Sequence, residues 1–141
     1  MELKKAEAMI EAVKQTAVVR LTALSGTLTL PVFVAPFDCH IISAKLVSQT
    51  ATSSSTNTAK YGFAVKDATR SLCSTGQATY QAGATNDISA NTAWDLKTDQ
   101  NLDLSSAAVL TLEVTKTGSP TSLSAASMLI IIEYRSNQVS D

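Results

Sequence analysis

The amino-acid sequence predicts an all-β protein, an antiparallel β-sandwich or jelly roll of about seven to eight strands with a short N-terminal helix or arm. Three observations carry that expectation. From Thr16 onward, apolar residues recur with a period of two, the spacing that puts alternate side chains on one face of a strand. The runs are short and separated by segments rich in Ser, Thr, Asn, Gly and Pro, each of which favours turns for its own conformational reason. Serine and threonine make up about a quarter of the 141 residues, and charged residues only 16%, against about 25% in an average globular chain.

The elements follow in order. Leu3, Ala6, Ile10 and Val13 recur at spacings of three and four, with Lys4, Lys5, Glu7, Glu11 and Lys14 off that stripe. This pattern predicts a helical arm over residues 1–15. So short a helix is marginal alone in water and needs a surface to dock on, whether its own domain or a partner. The period then changes. Ala17, Val19, Leu21 and Ala23 form one face, and after Ser25-Gly26 the set Leu28, Leu30, Val32 and Val34 stands opposite Thr27, Thr29 and Phe33. Pro31 lacks a backbone donor, so this strand is expected at an edge or broken there.

Ile42, Ala44 and Leu46 are the next expected inward set, then Tyr61, Phe63 and Val65. Trp94 and Leu96 begin a short strand. Leu110, Leu112 and Val114 alternate with Thr111, Glu113 and Thr115, the clearest half-buried strand. The last strand, Met128 to Tyr134, is apolar on both faces: Met128, Ile130 and Ile132 on one, Leu129 and Ile131 on the other. A strand of that kind is covered on both sides. The β domain is expected over residues 16–135, with a flexible C-terminal tail over 136–141. The polar stretch Thr50 to Thr58 reads as an exposed loop.

Composition narrows the function. A net charge of −1 provides no basic face for nucleic acid or anionic membrane. The longest apolar run, Met128 to Ile132, falls far short of the roughly 18 residues a membrane span needs. Acidic residues interrupt the N-terminus, so it does not read as a secretory signal, and synthesis in a cytoplasm is expected. In that compartment Cys39 and Cys73 are expected as buried reduced thiols.

Catalytic chemistry is not legible. The sole histidine, His40, directly follows Cys39, and neighbours on a strand point to opposite faces, which prevents a Cys-His pair. Asp38, Cys39, His40 and Cys73 lack zinc-ligand spacing. Asp87, Asp95, Asp99 and Asp103 lack the spacing and central glycine of a calcium loop. No phosphate-cradling glycine motif occurs among the five glycines. Trp94 with Tyr80 and the loop Gln77 to Asn91 could stack on a sugar, although a lone tryptophan belongs more often to the core. No catalytic, cofactor or metal site is assigned. The candidate partner or oligomer contacts are Leu3, Ala6, Ile10, Val13, Leu129 and Ile131.

Three segments carry a resemblance: Leu30-Pro31-Val32-Phe33-Val34-Ala35-Pro36-Phe37-Asp38-Cys39, Ala108 to Gly118, and the ending Leu129-Ile130-Ile131-Ile132-Glu133-Tyr134-Arg135. In texture and order they resemble small tailed-phage virion proteins of the head decoration or cement type. That resemblance implies a non-enzymatic β-sandwich subunit on the capsid surface, bound to the major capsid protein as a symmetric oligomer, a homotrimer. The rival expectation is a carbohydrate- or receptor-binding jelly-roll module, lectin-like or at a fibre tip.

Overall fold

The computed structural model describes residues 13–21, 26–123 and 127–137. Within them lie twelve strands: β1 Gln15–Leu21, β2 Leu28–Val34, β3 Cys39–Ser48, β4 Lys60–Asp67, β5 Arg70–Ser71, β6 Gln77–Ala78, β7 Tyr80–Gln81, β8 Ala84–Thr85, β9 Trp94–Asp95, β10 Asp103–Leu104, β11 Val109–Thr117 and β12 Met128–Ser136. The first sheet has the order β1-β12-β3-β10, with β9 also on β3; the second has the order β2-β11-β4-β5, with β6 also on β4. All these pairings are antiparallel. β7 and β8 form a separate hairpin.

The two sheets pack face to face as a sandwich. Tyr61, Phe63 and Val65 of β4 and Leu110, Leu112 and Val114 of β11 meet Ala44 and Leu46 of β3 and Met128, Ile130 and Ile132 of β12 in one buried cluster. Two aromatic contacts bridge the layers, Phe33 on Tyr134 at 4.9 Å and Phe63 on Trp94 at 5.5 Å, both edge-to-face. That geometry suits the ring quadrupoles. Each fully buried Leu or Ile here contributes about 1.5–3 kcal/mol relative to exposure. Trp94 is 8% exposed, and its indole N–H donates to Asn86 O at 3.2 Å, so it is a core residue.

Several expectations need correction. Phe33 was expected outward and Val34 inward. The reverse holds, because Thr111 pairs with Pro31 and Leu110 with Phe33, leaving Val32 as an extra residue in a β-bulge. The bulge flips the alternation beyond it, burying Phe33 and leaving Val34 59% exposed. Pro31 does lie on an edge strand, beside the bulge. The same device recurs in β3. Ser43 pairs with Glu133 and Ile41 with Tyr134, so Ile42 is the extra residue and is exposed, while Ile41 is fully buried.

The chain ends also differ from expectation. Residues 1–12, which carry most of the expected helix, lie outside the described residues. Val13 and Lys14 have no regular structure, and Gln15 already pairs with Tyr134 in β1. Ser136, expected in a loose tail, closes β12 and is buried.

The loop at 50–58 is not simply exposed. Thr52 N donates to Ile88 O at 3.0 Å, and Ile88 N donates to Thr52 Oγ1 at 2.8 Å. Ser55 and Asp87 are also hydrogen-bonded, and both Thr52 and Ser55 are buried. Gly118, at φ +62°, brings the backbone against this loop: a Cβ there would meet Thr58 O at 2.1 Å, so only glycine fits.

Candidate interaction surfaces

The groups that could carry chemistry are spread out. Cys39 and Cys73 are free and buried. Burial, reinforced by the charges of Asp38 and Asp103, pushes the Cys39 thiol up to about 11. Burial likewise raises the Cys73 thiol, which donates to Leu96 O at 3.2 Å. A thiol held protonated is a poor nucleophile. His40 turns away from Cys39 and pairs through Nδ1 with Asp103 Oδ1 at 2.7 Å, and Asn137 donates to the same oxygen at 3.2 Å. This cluster ties β10 and the end of β12 to β3.

The four aspartates weighed as a calcium set are engaged in different places. Asp99 accepts from Ser74 N at 2.6 Å and from its hydroxyl, which holds its carboxyl below the usual range. Asp87 pairs with Ser55, Asp95 accepts from Lys97 N at 2.9 Å, and Asp103 bonds His40. Among the described residues, no three His, Cys, Asp or Glu side chains gather as a metal cluster would require. With Trp94 in the core, the sugar-stacking surface is reduced to Tyr80, which is half-buried on β7.

Two surfaces remain, one carrying an apolar patch among polar residues and one an apolar groove. The first is the outer face of the β1-β12-β3 sheet. Pairing sets its rows: Thr16–Glu133–Ser43, Val18–Ile131–Lys45, and Arg20–Leu129–Val47. Leu129 and Ile131, singled out in the sequence, thus sit in the middle strand of this face. Val18 beside Ile131 is 56% exposed, and Ile42 at the bulge is 40% exposed. A hollow of about 250 Å³ lined by Val47, Gln49, Asn91, Ser127 and Leu129 extends the face past Leu129. At the other end Lys14 Nζ reaches Glu133 Oε2 at 2.9 Å, which holds the Glu133 carboxyl below its usual range. Val13, the described member of the predicted stripe, is 54% exposed just before β1, whereas Leu3, Ala6 and Ile10 lie outside the described residues.

The second surface is the flank where edge strands β1 and β2 face each other. A groove of about 460 Å³ runs there, lined by Ala17, Val19 and Tyr134 from one sheet and by Pro31, Val32, Phe33, Val34 and Pro36 from the other side. Beside it Val34 pairs with Val109, which is 41% exposed. Sequence reading missed this pair because the β2 bulge creates it.

No known protein family matches the chain, and no curated protein matches it. Among solved structures, a chain of the cyanophage Pam1 capsid asymmetric unit is similar at 12% identity, with 88% of this chain and 84% of that chain covered and a TM-score of 0.46.

Proposed function

We propose that this protein is a non-enzymatic virion structural subunit, a capsid decoration or stabilising protein that binds the shell as a symmetric homotrimer. The observation that carries the reading is the exposed valine pair Val34–Val109 beside the apolar flank groove. Exposed apolar surface of this kind suits burial against other subunits. The sequence resemblance to head decoration proteins supplies the partner, the major capsid protein. Binding would stabilise a shell because disassembly must also break the decoration contacts.

Co-sedimentation with shells, together with solution mass by light scattering, tests this. The expected result is a trimer that pellets with shells, and a Val34→Glu/Val109→Glu variant that keeps its β-sheet spectrum but fails to pellet. A monomeric parent that ignores shells and binds a glycan array would overturn the proposal in favour of a carbohydrate-binding module.

A further inference from the structure

Strand β1 is a sheet edge without the usual protection. It pairs with β12 on one side, and among the described residues no strand pairs with its other side. The remaining edges of the two sheets are blunted: β5, β6, β9 and β10 are two residues long, and β2 carries Pro31 and a bulge. Short strands, prolines and bulges are devices that keep an edge from pairing with another chain. Seven residues, Gln15–Leu21, form β1, with no proline and no break in register. We propose that β1 pairs antiparallel with β1 of a second copy about a two-fold axis at Val18, joining the two first sheets into one.

The register follows from the residues. An axis at Val18 pairs all seven: Val18 meets its own copy, Thr16 meets Arg20, and Ala17 meets Val19. Moving the axis by one residue leaves five of the seven paired, and moving it to Arg20 sets two arginines face to face. On the outer side Val18, 56% exposed, is covered by its copy, and the row Lys45–Ile131–Val18 continues in reverse order. On the inner side Ala17 and Val19, which line the flank groove, extend its apolar wall into the second copy. Charge agrees with this register. Among the described residues no carboxylate pairs with Arg20. Once paired, Arg20 lies across the short Thr16 from Glu133 of the second copy, two strand spacings or about 10 Å between backbones. An extended guanidinium spans that gap. One strand pair is small beside the roughly 1,200 Å² that stable complexes bury. The contact is therefore a weak one between copies already held side by side, distinct from the three-fold contact of the trimer, and it rests on that reading only for what holds the copies together.

Disulfide capture on the isolated full chain tests this without any shell. Val18→Cys, Thr16→Cys and Arg20→Cys, all at exposed positions, are made singly and mildly oxidised. Cys39 and Cys73 are buried and stay silent, which the parent protein checks. Directly opposed residues have Cα atoms about 4.5–5.5 Å apart, within reach of a disulfide. Thr16 and its copy stand four positions apart, about 13 Å along the strand and out of reach, as do Arg20 and its copy. The expected result is a covalent dimer of Val18→Cys that forms about tenfold faster or more than one from either other variant. Mixing Thr16→Cys with Arg20→Cys should give a mixed dimer. Equal rates for the three variants, no dimer from Val18→Cys, or no mixed dimer would each overturn the proposal. Shell pelleting of the parent is a separate measurement, so failure of the capture leaves the decoration reading standing, and failure to pellet leaves the strand pairing standing.

Discussion

On the outer face of the second sheet, Thr29, Glu113 and Ala64 stand in one row and Pro31, Thr111 and Lys66 in the next, with Lys66 and Glu113 paired at 2.9 Å. On the outer face of the first sheet, the corresponding rows put Val18 beside Ile131 and Leu129 beside Val47. Both sheets alternate with the same period and bury the same kind of inner face. The difference lies in the middle strand: β11 carries Thr111, Glu113 and Thr115 outward, while β12 carries Leu129 and Ile131. An antiparallel sheet can leave one face in water, and these two rows of the second sheet fit that pattern, while the exposed Val34–Val109 pair at the bulge end departs from it. On the first sheet, Val18–Ile131 and Leu129–Val47 form an apolar patch among Thr16, Arg20, Ser43, Lys45 and Glu133.

Five expected outcomes can break or sharpen that contrast. The largest belongs to the shared inner face. Leu112→Ala, at a fully buried position, should cost about 2–5 kcal/mol in urea unfolding, since the cavity adds to the lost transfer energy. A cost below about 1 kcal/mol would mean that the sheets are not tightly packed there. Gly118→Ala should also be severe, because its Cβ has no room against Thr58 O, and a parental melting temperature would contradict the close approach.

The contrast itself is read by a matched pair. Ile131→Asp should cost about 1–3 kcal/mol, the range for placing a polar group in an apolar contact. Thr111→Asp, in the equivalent middle strand of the other sheet, should stay within about 0.5 kcal/mol. Equal small costs would show both faces to be wet.

The smallest effect concerns acid. The Glu133 carboxyl is held low first by its hydrogen bond with Lys14, so its ionised form is favoured by folding. That contribution is complete above the ordinary carboxylate range and is lost as pH falls through the depressed value. Glu133→Gln should flatten the acid side of the stability–pH curve. Unchanged curvature would mean that the pair does not hold in solution. The thiols give a control on the inner side: Cys39, at about 11 and buried, should resist a thiol reagent at pH 8 until the protein unfolds.

Where a strand's environment is uniform along its length, the sequence alone determined which residues face inward. Tyr61, Phe63 and Val65, the β11 alternation, the β1 face and the two-sided β12 are all readable, because period-two hydrophobicity maps directly onto a pleated strand. The edge position of Pro31 was readable too, from its missing donor. The separation of Cys39 from His40 followed from strand geometry in the same way. Only the tertiary structure decided the rest. The bulges at Val32 and Ile42 arise from pairing with β11 and β12, partners that lie far along the chain, and each inverts the facing of its neighbours. Polar Thr52, Ser55 and Thr79 are buried because groups distant in sequence supply their hydrogen bonds: Ile88 N donates to Thr52 Oγ1 at 2.8 Å, Tyr61 N donates to Thr79 Oγ1 at 3.0 Å, and the Ser55 hydroxyl donates to the Asp87 carboxylate. Composition marks such residues as loop. The exposed Val34–Val109 pair has the same origin: local alternation points Val34 inward, and one inserted residue, specified by long-range register, turns it out to the surface.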